Sequence, residues 1–266
     1  MSVPAAFFER VAAAPARAAI MLDFDGTLVG HADEPERLGL PGHVRERLRG
    51  LVQSLGLVAI ISTRPASFLA PRIALDEVDI FGLYGIERRP PVSDRIIVAD
   101  QAASWLPEVE RAHRWLLKEA GEEPVWVEHK GRSTALHWAG ANERRVCDCR
   151  QLIERVQRAT RLKLEAGKNM AELRPPIERD KGWCVRRLAR EYGISMPIFC
   201  GDDVSDLPAL RAAEELGGLA VAVHHGAGTP HELGTVASHH VTGVDGVYDF
   251  LSTLQEHLPG PQPTGG

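Results

Sequence analysis

The sequence contains few cysteines, no long apolar run and no large excess of charge of one sign. Of the four cysteines among 266 residues, Cys147 and Cys149 stand two positions apart, too close for an easy disulfide, which indicates a reducing compartment. No segment approaches the roughly 20 apolar residues of a membrane-spanning helix, so we expect a cytoplasmic protein without a membrane partner. The formal net charge of -5 gives no reason to expect nucleic acid as a partner.

The pattern along the chain predicts two kinds of domain. Strand-like and helix-like segments alternate over residues 18–87 and again from about 183 to 252, which favours a parallel sheet covered by helices on both faces. Residues 88–177 differ, because paired strands, the first at 95–98, accompany long amphipathic helices. The sequence therefore predicts an α/β core, discontinuous over 1–87 and 178–266, with an α+β domain inserted over 88–177.

Two carboxylates follow the first apolar run, residues 18–22, in the hexapeptide DFDGTL. Side chains two apart on an extended segment point to the same face, so Asp23 and Asp25 can converge on one ligand. Like charges so close repel each other unless a cation or a shared proton intervenes. We interpret the pair as a magnesium-assisted site in which Asp23 attacks phosphorus and Asp25 handles a proton. The alternative is a simple strand-to-turn junction, since Asp-Gly is a common turn dipeptide.

A second apolar run, residues 57–61, ends in Ser62, Thr63 and Arg64. It reads as a buried parallel strand with a polar carboxyl end, although an ordinary strand-loop junction has the same pattern.

Lys181 stands at the predicted start of a helix. A lysine there is electrostatically unfavourable, which suggests that it serves an anion, and free N–H groups of a helix start also stabilise phosphate. Taken alone, such a lysine is more often a solvated surface residue.

Three carboxylates, Asp202, Asp203 and Asp206, follow the apolar segment 197–200. Carboxylates, water and phosphate oxygens are the ligands that Mg²⁺ prefers. A solvated loop or a helix cap is the alternative for part of this cluster.

In kind and order these motifs resemble those of the haloacid dehalogenase superfamily, whose phosphatases form an aspartyl-phosphate intermediate. The resemblance implies a Rossmann-like core, with Ser62 and Lys181 holding the phosphoryl oxygens and Arg64 contacting the substrate. Whether Ser62 or Thr63 makes the phosphoryl contact stays open. It also implies Mg²⁺ as the cofactor, held by Asp23, Asp25 and Asp202, with Asp203 or Asp206 in support.

The inserted domain carries a narrower resemblance. Segments 127–131, 135–138 and 167–175 look like the C2B-type (type IIB) cap of trehalose-6-phosphate phosphatases. A cap of this kind is expected to exclude water and to select the leaving group. The resemblance implies that the following residues bind the sugar: Glu128, Lys130, Lys168 and Glu172, with His137 and Glu87 as further candidates. For Glu128 and Lys130 alone, a same-face ion pair on a wet sheet surface is the alternative.

The resemblance implies hydrolysis of trehalose 6-phosphate to trehalose and phosphate, a step of trehalose biosynthesis. The expected partner is a small-molecule sugar phosphate, and a monomer is the simplest expectation for the oligomeric state. Ala139 and Leu207 stand where many relatives carry Arg and Glu, so a phosphatase for sucrose 6-phosphate or mannosyl-3-phosphoglycerate remains an alternative. A phosphohexomutase and a catalytically silent regulatory subunit are more distant ones.

Overall fold

The computed structural model of the protein describes residues 5–30, 39–167 and 169–259. It divides the chain into two compact units, a core unit of residues 1–97 and 179–266 and a cap unit of residues 98–178. The predicted insertion starts at residue 88, whereas the observed cap unit starts at residue 98. The difference arises because residues 87–89 form a strand of the larger sheet, and the last strand of that sheet, residues 97–98, includes the boundary itself.

The helices and strands follow in chain order. The first part of the core contains α1 (Ala5–Ala13), β1 (Ala18–Leu22), α2 (Gly42–Ser54), β2 (Leu57–Ile61), α3 (Ala66–Ile73), β3 (Asp79–Gly82), β4 (Glu87–Arg89) and β5 (Ile97–Val98). The cap unit contains α4 (Leu106–Glu119), β6 (Trp126–His129), β7 (Thr134–His137), α5 (Glu143–Thr160), β8 (Lys163–Gly167) and β9 (Met170–Arg174). The second part of the core contains α6 (Lys181–Tyr192), β10 (Met196–Gly201), α7 (Leu207–Glu215), β11 (Leu219–His224), α8 (Leu233–Val236), β12 (His239–Thr242) and α9 (Gly243–His257).

The larger sheet has eight strands in the order β12-β11-β10-β1-β2-β3-β4-β5. From β12 to β3 all neighbours are parallel, and β4 runs antiparallel to β3. Every residue of β1 and β2 is buried, as expected for apolar strands covered on both faces. Helices α1, α2, α3 and α9 pack on one face, while α6, α7 and α8 pack on the other. The predicted α/β fold with a parallel sheet is confirmed.

The cap unit is an antiparallel sheet of four strands in the order β6-β7-β9-β8. Its helices α4 and α5 cover one face through a hydrophobic cluster that includes Val109, Leu136, Val156 and Leu173. The strand predicted at 95–98 does not join this sheet, because Ile97–Val98 lies at the edge of the larger one. None of the described helices is both long and apolar enough to cross a membrane.

A buried ion pair fixes the antiparallel edge of the larger sheet. The Arg88 guanidinium donates to both carboxylate oxygens of Asp79, at 3.0 and 2.6 Å, and also to Glu191 of α6. The Tyr192 hydroxyl adds a third donor to Asp79, at 3.0 Å. Asp79 is fully buried, so these donors replace the hydration that its carboxylate would have in water.

Replacing Arg88 with Met should lower the free energy of unfolding by about 3–5 kcal/mol, because the charge of Asp79 would stay buried without its main partner. Arg187→Met is the matched control, since Arg187 pairs with the same Glu191 at 3.5 Å on the helix surface and should contribute about 1 kcal/mol or less. Urea denaturation of both variants measures the difference. Equal losses would contradict the role given to burial.

Candidate active site

The predicted site residues of the core unit lie at the carboxyl ends of adjacent strands. Asp23 follows β1, Ser62 follows β2 and Asp202 follows β10, and these three strands are neighbours in the sheet. The strand ladder continues one step further, since the Asp23 N–H donates to the Cys200 carbonyl at 3.0 Å. The parallel sheet thereby places two carboxylates and a hydroxyl at one edge, where such sheets bind ligands.

Lys181 lies at the first position of α6 and is buried among the carboxylates. Asp180 caps the helix by accepting a hydrogen bond from the Trp183 N–H at 2.6 Å. The Lys181 ammonium donates to Asp23 Oδ1 at 2.7 Å and to Asp206 Oδ1 at 2.6 Å. Only 1% of its side chain is exposed. This lysine is therefore not a solvated surface residue.

Asp206 has the contacts of a structural anchor. Its Oδ1 accepts from Lys181, and its Oδ2 accepts the N–H groups of Asp202 and Asp203, both at 3.0 Å. A Cβ on Gly201 would lie 2.4 Å from the Asp206 carboxyl carbon, so the close approach requires glycine. Both oxygens of Asp206 are thus already engaged. Between Asp203 and Asp206, the latter holds the acidic loop in place.

The turn after the nucleophile candidate lies against Asp202. Gly26 has a φ of 80°, in the left-handed region that favours glycine, and its N–H donates to the Val29 carbonyl at 2.7 Å. A Cβ at this position would lie 2.2 Å from Asp202 Oδ2. The Asp-Gly dipeptide is therefore a turn, as the alternative interpretation expected, and the turn also brings the two acidic segments together.

The charges at this edge are unbalanced. Asp23, Asp202 and Asp206 offer carboxylate oxygens within 4.8 Å of one another, and when all three are ionised Lys181 supplies one positive charge against three negative ones. Burial and the nearby Asp206 raise the pKa of Asp23 well above its usual value, and burial raises that of Asp206 to about 6. A divalent cation would neutralise the excess, and a set of carboxylate oxygens suits Mg²⁺.

Asp25 and Arg64 form a pair beside this cluster. Arg64 donates from Nε to Asp25 Oδ2 at 3.0 Å and from Nη2 to Asp25 Oδ1 at 3.1 Å, which is a two-pronged contact. Ser62 is buried, and its hydroxyl oxygen accepts from the Arg64 N–H at 3.2 Å. The sequence offered no signal for the pairing of Arg64 with Asp25.

Two further polar contacts border this edge of the sheet. Glu87, a candidate for contacting the sugar, accepts the Ala66 N–H at 2.9 Å and so caps the start of α3. His225, which sequence reasoning missed, contacts the Gly26 carbonyl at 2.7 Å. A histidine alone in a loop carries no spacing or pattern that would have identified it.

The cap unit brings together four of its five predicted sugar-binding residues on the face of its sheet opposite the helices. Strand register aligns Glu128, Ala135 and Glu172 in one row. Glu128 contacts His137 at 3.0 Å, and the His137 ring stacks on that of Trp126 with centroids 3.9 Å apart. Lys168 lies outside the described residues.

Lys130 and Glu172 form a buried ion pair at 2.8 Å, and Glu128 lies 3.8 Å from the same ammonium. Glu172 is 1% exposed. The wet-surface alternative concerned Glu128 and Lys130, whose side chains are 19% and 4% exposed, so that pair is also largely buried. Among the described residues, nothing hydrogen-bonds the other carboxylate oxygen of Glu172, Oε1. A buried acceptor of this kind usually has a donor, and a ligand hydroxyl can supply one.

Comparison with known families decides the chain's membership. The family model described as trehalose-phosphatase matches residues 21–238, a range that includes both acidic segments, Lys181 and the whole cap unit.

The chain belongs to the trehalose-phosphatase family.

The similarity to individual members of this family is moderate. The trehalose-phosphate phosphatase of Mycobacterium leprae is 31% identical over 219 residues, which cover 78% of this chain and 51% of the relative. The chain thus spans about half the length of the curated relatives it matches.

Solved structures share the fold. The C-terminal domain of C. albicans trehalose-6-phosphate phosphatase superposes with a TM-score of 0.78 at 19% identity, covering 97% of this chain and 98% of that one. A haloacid dehalogenase-like hydrolase from Bacteroides thetaiotaomicron gives 0.60 at 18% identity, covering 89% and 99%. The predicted resemblance to both groups is confirmed at the level of the fold.

Mg²⁺ should raise the melting temperature of this trehalose-phosphatase family member, because binding to the acidic cluster stabilises the folded state. Free metal at 100 times its dissociation constant corresponds to about 2.7 kcal/mol. Asp202→Asn should lose most of this gain, while Asp249→Asn, an exposed carboxylate on α9, should keep it. Thermal unfolding with and without Mg²⁺ measures the shift. Equal shifts in the wild type and Asp202→Asn would contradict the assignment.

Proposed function

We propose that the chain hydrolyses trehalose 6-phosphate to trehalose and phosphate through an aspartyl-phosphate on Asp23. The observation that carries this proposal is the contact of Lys181 with Asp23 and Asp206 at the carboxyl ends of the parallel strands. Because this contact holds Asp23 Oδ1 on the ammonium, we assign the attack on phosphorus to Oδ2. Membership of the trehalose-phosphatase family supports the choice of reaction.

In the first step, an Asp23 carboxylate oxygen forms a bond to phosphorus, and the bond between phosphorus and the sugar 6-oxygen breaks. Asp25 gives its proton to the departing oxygen, so trehalose leaves as a neutral alcohol. Lys181 and Ser62 hold phosphoryl oxygens while charge moves onto the leaving group. In the second step, water attacks phosphorus, Asp25 takes its proton, and Asp23 is released together with phosphate.

Arg64 has to give up at least one of its two contacts with Asp25 before the first step. A guanidinium has donors but no acceptor, so a protonated Asp25 cannot keep both contacts with it. The phosphoryl group offers Arg64 an alternative anion. Substrate binding would thereby free the acid when it is needed.

The residues that would hold Mg²⁺ are Asp23, the main-chain carbonyl of Asp25, and Asp202, supported by Asp206. Bound there, the ion would neutralise charge on the phosphoryl oxygens. The charge excess among the buried carboxylates supports this assignment.

A cytoplasmic location accords with the free state of all four cysteines.

We further propose that Glu128, Lys130, His137 and Glu172 bind the sugar. Vicinal hydroxyls require both acceptors and donors, and the carboxylates and the ammonium of this face provide them. Ala139 stands where many relatives carry Arg, and this difference keeps another sugar phosphate as the second candidate. The residue is exposed. Measuring phosphate release from a panel of sugar phosphates, including sucrose 6-phosphate, separates the two.

Asp23→Asn should abolish turnover without unfolding the protein. An amide keeps the shape of the side chain but loses its charge and its nucleophilicity. Phosphate release and circular dichroism should be measured on the same preparation. More than a trace of activity in the folded variant would rule out covalent catalysis by Asp23.

Glu128→Ala and Glu172→Gln should each lower kcat/KM for trehalose 6-phosphate about 10-fold to 100-fold, because each loses a charged hydrogen bond worth roughly 1.5–3 kcal/mol. Hydrolysis of p-nitrophenyl phosphate should barely change, since that ester has no sugar hydroxyls. Glu110→Ala is the control, because Glu110 pairs with His129 at an exposed position of the same unit. Equal losses on both substrates would assign Glu128 and Glu172 a purely structural role.

A further inference from the structure

A histidine from the loop after β11 reaches the turn that follows the nucleophile candidate. The His225 Nε2 atom lies 2.7 Å from the Gly26 carbonyl oxygen. A carbonyl only accepts hydrogen bonds, so Nε2 carries the proton and donates. The contact joins residues 199 positions apart in the chain.

The same imidazole nitrogen lies 3.7 Å from Asp202 Oδ2. That distance is too long for a hydrogen bond, but it places a polarised N–H beside the carboxylate. Gly26 itself packs on Asp202, where a Cβ would come within 2.2 Å. His225 thus contacts the turn that follows Asp25 and lies beside Asp202 of the acidic loop.

The position of His225 is itself fixed by its neighbours. Strands β10 and β11 are parallel and pair Gly201 with Ala222, so the ends of both strands lie side by side. The main-chain N–H of His225 donates to the Thr229 hydroxyl at 2.8 Å, and the main-chain N–H of Thr229 donates to the Gly226 carbonyl at 3.1 Å. This small closed loop holds the ring against Gly26.

We propose that His225 is a positioning residue of the metal site. By holding the Gly26 carbonyl, it fixes the turn that carries the Asp25 main-chain carbonyl and keeps that turn seated on Asp202. The inference rests on the proposed Mg²⁺ site of the phosphatase. Hydrogen-bonding partners that orient metal ligands typically contribute 10-fold to 100-fold to metal affinity or activity.

Direct binding of Mn²⁺, followed by electron paramagnetic resonance of the free ion, tests the proposal independently of turnover. His225→Phe keeps a planar ring but removes the donor, and should raise the dissociation constant about 10-fold. His225→Gln places an amide N–H near the position of Nε2, and should stay within about threefold of the wild type. His224→Phe is the matched control. The neighbouring His224 contacts His240 at 2.8 Å and should leave Mn²⁺ affinity unchanged.

Three outcomes would overturn an element of this assignment. Wild-type affinity in His225→Phe would remove the positioning role, and equal losses in His225→Phe and His225→Gln would assign the effect to the ring and not to its donor. Failure of the wild type to bind Mn²⁺ would contradict the metal site itself, which is a separate result. If His225→Phe does not fold, His225→Ala gives the same comparison, and wild-type affinity in that variant overturns the proposal equally.

Discussion

The arrangement of the core unit depends on one buried ammonium group. Lys181 reaches from the start of α6 to a carboxylate that follows β1 and to another that precedes α7. Without it, Asp23 and Asp206 would be two like charges buried side by side. The unfavourable place of a lysine at a helix start is therefore offset by two nearby anions. Asp206, held in turn, receives the N–H groups that shape the acidic loop.

The cap unit repeats this arrangement with different residues. Lys130 lies between Glu172 at 2.8 Å and Glu128 at 3.8 Å, as Lys181 lies between two aspartates. Each set has more carboxylate than ammonium, but the consequences differ. In the core, the excess charge suits a divalent cation. In the cap, carboxylate oxygens beside a half-buried histidine suit the hydroxyl groups of a neutral sugar.

Hydrophobicity located the strands of the core but not the end of the sheet. The apolar run 18–22 ends at Asp23 and thereby predicted both β1 and the site at its end. Strand β4 has the opposite composition, since Arg88 and Arg89 are charged and still buried. Their burial depends on partners elsewhere in the chain: Asp79 for Arg88, and the carbonyls of residues 75 and 78 for Arg89. No local pattern reveals such partners, so the predicted boundary came about ten residues early.

Residue spacing likewise predicted which types of group would lie together, but not which role each residue has. The acidic cluster indicated a metal site, yet only the contacts of its oxygens separate Asp206 from Asp203. Glu87 was expected to face the sugar, and its carboxylate is engaged with the start of α3. The contribution of His225 depends on two loops that lie far apart in sequence and meet only after the sheet has formed.

The order of strands also affects how this chain can fold while it is being synthesised. The central strand β1 pairs with β2 on one side, but its other neighbour is β10, with Ala18 opposite Met196. At about 5–20 residues per second, a ribosome needs on the order of ten seconds or more to reach that partner. During this interval the cap unit can fold around its own hydrophobic cluster. One edge of the apolar strand β1 meanwhile has no strand beside it. The edge of β1 that pairs with β10 therefore stays without its neighbouring strand until residues 196–201 have been synthesised.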